Sequence, residues 1–157
     1  MAPYSDLPYL IVELANSHAG SEEIVSELIS EFGKLDYENK GIKFQIFSPE
    51  KIALPDFEWF PVYQELFFDK DAWKRLISKA EMLGDIWIDV FDAYGVEVAS
   101  DNLDKIQGFK IQASVLDNAE VFDALSKLEL SKKQLIINVS GFEVSTIQTV
   151  TSKFNSI

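Results

Sequence analysis

The chain has no cysteine and only one histidine, His18. Without cysteine it can form no disulfide, no thiolate metal site and no cysteine nucleophile. No stretch approaches the roughly 18 consecutive apolar residues that a membrane span needs. The opening Met1-Ala2-Pro3-Tyr4-Ser5-Asp6 lacks the basic segment and long apolar run of a signal peptide. Positive charge is scarce: 14 Lys and Arg stand against 26 Asp and Glu, for a net charge of −12. Nucleic acid and anionic membrane both demand a basic surface, so neither is expected as a partner. Nucleotide loops of the form G-x-x-x-x-G-K-[S/T] or G-x-G-x-x-G are missing, and no set of His and carboxylate residues has metal-ligand spacing. A cytoplasmic protein is expected.

What is present is apolar and aromatic. Residues of hydrophobic type make up 47% of 157, including 12 Phe, 5 Tyr and 3 Trp. That length and composition suit one domain, residues 1–157, with a sizeable core.

Ile42-Lys43-Phe44-Gln45-Ile46-Phe47 follows Gly41, here taken as a breaker, and reads as a β-strand. Its alternation puts Ile42, Phe44 and Ile46 on one face and Lys43 and Gln45 on the other. Phe109-Lys110-Ile111-Gln112 repeats the pattern. Further strands are expected at 9–14, 86–91, 108–113 and 134–139. Helices are expected from Ser21 to about Lys34, from Asp69 or Asp71 to Gly84, over 94–103, 118–128 and 143–154. Residues 48–69 contain Pro49, Pro55 and Pro61 and cannot form one continuous helix. That stretch reads either as a functional lid or as a hydrophobic flap packed on the core.

Strand and helix thus alternate five times, which implies parallel strands with helical crossovers. In a doubly wound sheet the central strands are apolar on both faces. In a closed barrel the helices lie outside only, and chemistry sits at the C-terminal strand ends. Each expected strand carries a polar residue in its C-terminal half: Glu13, Gln45, Asp89, Gln112 and Asn138. This favours an α/β fold, a parallel (β/α) barrel of TIM type. A complete barrel takes about 250 residues, so the chain is expected to hold the first five of eight units. Truncation is the preferred explanation, and open sheet edges are expected to invite self-association.

Lys43 and Lys110 aimed at one enclosed face of an acidic chain point to an anionic ligand. They could also serve as general bases or Schiff-base amines, and enclosure lowers a lysine pKa unless an anion lies nearby. Glu13 and Asp89 could supply that countercharge, which leaves an internal ion-pair network as the competing structural reading. His18, alone in a loop, reads first as a surface group. Ser140-Gly141 after the fifth strand offers a hydroxyl and backbone N–H groups to an anion.

Several segments resemble the N-acetylneuraminate (sialic acid) synthase family, the NeuB-like proteins. Val12-Glu13-Leu14-Ala15-Asn16-Ser17-His18-Ala19-Gly20 resembles that family's A-E-I-G-x-N-H-x-G opening. Ile42 to Phe47 resembles its V-K-F-Q-T-F strand, and Leu66 to Trp73 its E-L-F-F-x-x-x-x-W stretch. Lys110-Ile111-Gln112-Ala113-Ser114 stands for K-I-(small)-S-G, and Ser140-Gly141 for T-G. The resemblance implies a synthase that condenses phosphoenolpyruvate with an N-acylated amino sugar such as N-acetylmannosamine, releasing phosphate. By position, Lys43 and Lys110 would hold the donor's phosphate and carboxylate, with Glu13 the third catalytic residue. Asn16, His18, Gln45, Asp89, Gln112 and Ser140 would be substrate-binding. The family implies a divalent metal, Mn or Mg, whose ligands lie on strands this chain lacks. It also implies a homodimer with a C-terminal antifreeze-like domain, likewise absent. Two departures stand out: Val115 replaces an acidic residue, and Asp89-Val90 replaces Thr-Pro. Full turnover by the 157 residues alone is therefore not expected.

Overall fold

The computed structural model describes residues 8–152 and 154. Five parallel strands run in the order β1-β2-β3-β4-β5: β1 Leu10–Glu13, β2 Lys40–Ile46, β3 Asp85–Val90, β4 Ile106–Ile111 and β5 Gln134–Ile137. The order never reverses. Parallel crossovers are right-handed almost without exception, so an unreversed order carries every helix to the same face. The other face curls inward. This is a half-barrel, and a doubly wound sheet, which reverses at a switch point, is excluded.

The convex face makes the core. Ile42, Phe44 and Ile46 of β2, Ile86, Ile88 and Val90 of β3, and Phe109 and Ile111 of β4 are all buried there. Helix α1 (Glu22–Gly33) covers them with Val25, Ile29 and Phe32. Ser21 caps it, its hydroxyl accepting from the Ile24 amide at 3.3 Å. The next expected helix, residues 69–84, is shorter than its pattern. It spans Lys70–Ala80, with Asp69 as the cap, and buries Trp73, Leu76 and Ile77.

Residues 48–69 are not a plain loop. They hold α2 (Pro49–Ile52) and α3 (Phe60–Glu65), each with a proline in its first turn, where the missing N–H is no loss. With these, the helix at Lys70–Ala80 is α4, followed by α5 (Ala93–Ser100), α6 (Ala119–Leu125) and α7 (Val144–Ser152). The flap reading holds for Phe60 and Phe68, which are buried, but not for Leu54, Phe57 and Trp59, which are 72%, 45% and 57% exposed.

Gly41 does not break the strand. It lies inside β2, and Gly108 lies inside β4. Both make room for Trp87. A Cβ on Gly41 would fall 2.8 Å from the Trp87 ring, and one on Gly108 2.6 Å. In register, Lys43 pairs with Trp87 and Trp87 with Gly108, so the indole lies across the concave face on the floor of the half-barrel. Its Nε1 donates to the Tyr9 hydroxyl at 2.8 Å, and that hydroxyl donates to Asp85 Oδ2 at 2.9 Å. No helix of the described residues is long and apolar enough to cross a membrane.

Candidate functional site

Beside Trp87 and beyond it towards the C-terminal strand ends, the concave face turns polar. Parallel register explains the grouping: Glu13 pairs with Lys43, Gln45 with Asp89, and Asp89 with Lys110. Paired residues in neighbouring strands share a face, so two adjacent rows, Glu13–Lys43 and Gln45–Asp89–Lys110, bring four charged side chains together on the concave side.

Asp89 is the hub. It is fully buried, and its Oδ2 accepts from Lys43 Nζ at 3.1 Å and from Lys110 Nζ at 3.0 Å. Its Oδ1 accepts from Gln112 Nε2 at 2.6 Å. Lys43, 5% exposed, also pairs with Glu13 Oε2 at 3.0 Å. The chain of bonds continues on both sides. Gln45 Nε2 donates to Glu13 Oε1 at 2.6 Å and Asn16 Nδ2 donates to Gln45 Oε1 at 3.1 Å. Across the hub, Asn138 Nδ2 donates to Gln112 Oε1 at 3.4 Å, and the Ser140 amide donates to Asn138 Oδ1 at 3.0 Å. The two lysines therefore do converge, but what stands between them is a carboxylate of the chain itself.

The charges shape one another. Burial pulls the Lys43 ammonium down, but its bond to Glu13 and the charge and bond of Asp89 outweigh that, and its pKa ends above the ordinary lysine value. Burial pushes Glu13 up. The Lys43 bond and charge, helped by Gln45 and Lys110, reverse this and hold the carboxyl below the ordinary glutamate value. Both groups stay charged at neutral pH.

His18 sits apart from this network. It is 1% exposed, not the surface group its loop position implied. The ring stacks on Phe68 with centroids 4.8 Å apart. Nδ1 accepts from the Gly20 amide at 3.2 Å, which leaves the proton of the neutral ring on Nε2. Nε2 and Asn16 Oδ1 are buried polar atoms without a partner among the described residues. Positive φ at Ala15 (50°), Ala19 (47°) and Gly20 (74°) folds this loop back. A Cβ on Gly20 would meet the Glu65 carbonyl oxygen at 2.1 Å, so glycine is required there.

Burial alone depresses the His18 pKa below 6.5. The unfolded chain then takes up a proton that the folded chain does not, so stability falls as pH drops below 6.5. The slope is at most about 1.4 kcal/mol per pH unit. No other histidine competes in that window. Urea unfolding at pH 5.5 and 7 should show this loss in the native chain and not in His18→Gln; equal losses in both would contradict it. Below the ordinary glutamate value of 4.5, Glu13 adds a second loss, because its folded-state pKa is depressed.

Gln112 and Asn138 lie one residue beyond β4 and β5, and Glu13 closes β1, so the polar rows sit at the strand ends or just past them. Ser140 is exposed, in the loop before α7, and enters the network through its amide. Val115 is not at the site: it is buried in the convex core. Trp87 and Tyr9, which floor the concave face, were not singled out from the sequence. The signal was available, since glycine inside strands on either side of a tryptophan marks a close approach.

Glu13 and Asp89 are both committed to ammonium groups. Among the described residues no group of three or more His, Asp or Glu side chains could hold a metal ion. The described residues do not fit the divalent ion that the resemblance implies. A cavity of about 320 Å³ adjoins Glu13, but it opens between β1 and α1 and is otherwise lined largely by Val12, Leu14, Leu28, Phe32 and Leu35.

The fold and the inward polar rows define an incomplete parallel α/β barrel with its candidate site at the C-terminal strand ends. No family model matches the sequence, and no curated protein matches it. Solved structures do. N-acetylneuraminic acid (sialic acid) synthetase from Leptospira borgpetersenii serovar Hardjo-bovis, crystallised with citrate, matches with a TM-score of 0.77 at 19% identity, over 94% of this chain and 50% of that one. The spore coat polysaccharide biosynthesis protein SpsE from Bacillus subtilis matches at 0.69 and 18%, over 97% of this chain and 42% of that one. The chain spans half or less of the length of these two proteins. Its fold is the one the sequence resemblance implied.

Proposed function

We propose that the chain is the β1–β5 part of a sialic acid synthase-like barrel, whose concave face handles phosphoenolpyruvate and an N-acylated amino sugar. The observation that carries this reading is the pair of ammonium groups converging on one oxygen position at the strand ends. The superposition on a sialic acid synthetase supports it, and that synthetase was crystallised with a polycarboxylate.

In this reading C3 of phosphoenolpyruvate bonds to the aldehyde carbon of the open-chain sugar, whose oxygen takes a proton. Water adds to C2, and inorganic phosphate leaves with the C2–O bond electrons while a ketone forms. Lys43 and Lys110 hold the phosphate and carboxylate of the donor by charge-assisted hydrogen bonds. Gln45 and Asn16 offer amide groups to the sugar, with Glu13, His18, Gln112 and Ser140 around them. The divalent metal, the partner subunit and a cytoplasmic setting belong to the same proposal. The metal would need ligands beyond the described residues. The free edges of β1 and β5 would be covered by further strands or by another copy.

A second reading, binding without turnover, is favoured by Asp89, whose carboxylate already holds both lysines. Calorimetric titration of the 157-residue chain with phosphoenolpyruvate tests the shared element. Native protein should release heat, and Lys43→Ala and Lys110→Ala should each bind at least about tenfold more weakly, equivalent to roughly 1.4 kcal/mol. No heat from native protein, or unchanged heats in both variants, would remove the site.

A further inference from the structure

We propose that Asp89 is an internal competitor for the anion site: its carboxylate occupies the position of the ligand's anionic group, and a phosphate or carboxylate binds only by displacing it from the two lysines. This rests on the anion-binding reading above and adds its regulation.

Three observations carry it. First, both ammonium groups share a single oxygen, Asp89 Oδ2, at 3.1 and 3.0 Å. A carboxylate serving one lysine as a structural counterion has no need to draw in a second. Two ammonium groups focused on one point describe a receptor for a group richer in charge than a lone carboxylate. Second, Asp89 is satisfied on both oxygens, since Gln112 Nε2 holds Oδ1 at 2.6 Å. The hub is therefore closed to an added anion while Asp89 stays in place. Third, the charges balance. Glu13 and Asp89 set two carboxylates against Lys43 and Lys110, so the two rows present no net positive charge to an incoming anion. A phosphate would face the Asp89 charge at short range in a poorly screened setting.

Removing that one charge while keeping the shape should convert the two rows into an open anion site. Asp89→Asn keeps an oxygen for the lysines and leaves two ammonium groups against Glu13 alone. Titration with phosphoenolpyruvate, and separately with inorganic phosphate, should show at least tenfold tighter binding by Asp89→Asn than by the native chain. Inorganic phosphate should also raise the melting temperature of the variant more than that of the native protein. Adding Lys43→Ala to Asp89→Asn should abolish the gain. Circular dichroism establishes that the variant is folded, and Asp89→Ser, smaller and also uncharged, serves if Asp89→Asn is not.

The outcomes separate this inference from the reading it rests on. If the lysine variants lose binding but uncharged residues at 89 bind no more tightly than the native chain, Asp89 is not a competitor and the anion site stands. If the native chain releases no heat while Asp89→Asn binds phosphate through Lys43, the competitor is upheld and native donor binding is overturned. If neither native chain nor variant binds either anion, both fail.

Discussion

Asp89→Ala should lose about 3 kcal/mol of folding stability, because it strands Lys43 and Lys110 without their shared carboxylate. Lys43 is 5% exposed and cannot turn its ammonium to water without leaving the strand face. It keeps Glu13 as a partner, and the Lys110 side chain is 23% exposed, so the cost sits at the low end for a broken buried pair. In a chain of this size it corresponds to a fall in melting temperature of roughly 6–12 °C. Asp89→Asn should cost less, since an amide oxygen can still accept from the lysines. Thermal melts of the two variants and native protein at pH 7 measure this. A change below about 1 kcal/mol for Asp89→Ala would mean that the lysines do not depend on the hub.

Trp87→Ala should cost more, about 3–5 kcal/mol, by the loss of a large buried side chain and the cavity left behind. The indole is 2% exposed and fits between Gly41 and Gly108, whose missing side chains define its slot. Neither glycine can fill the void. Trp87→Phe keeps most of the ring and loses the hydrogen bond to Tyr9, so about 1–2 kcal/mol is expected from it. Denaturant unfolding of the two variants orders these effects. A Trp87→Ala loss no greater than that of Trp87→Phe would place the indole in solvent instead of on the floor of the half-barrel.

How far the fold could be read from residue order differs between elements. Strand β2 was legible down to its faces, because Ile42, Phe44 and Ile46 alternate with Lys43 and Gln45 and period two admits one assignment. The unreversed strand order was legible only indirectly, through polar residues gathered at one end of each strand. Helices α2 and α3 were not legible, since Pro49 and Pro61 sit in their first turns, where proline reads as a breaker, in a segment without periodicity. Gly41 misled for a related reason: glycine in a strand reads as punctuation until its neighbour across the sheet, Trp87, is known. The site shows the same division. Alternation put Lys43 and Lys110 on a common side and allowed Glu13 and Asp89 as counterions. That both amines meet on Oδ2 of Asp89 depends on rotamers and on strand register, which no single strand encodes. His18 was misjudged because its burial comes from Phe68, 50 residues away in sequence.

A crystal structure of Asp89→Asn grown with inorganic phosphate shows whether Lys43 and Lys110 form one anion site. A phosphate oxygen is expected within hydrogen-bonding distance of both Lys43 Nζ and Lys110 Nζ, at the place Oδ2 holds in the native chain, with the Asn that replaces Asp89 displaced from the lysines. Lysine side chains turned towards the outer helices or bulk water, with no anion between them, would contradict it.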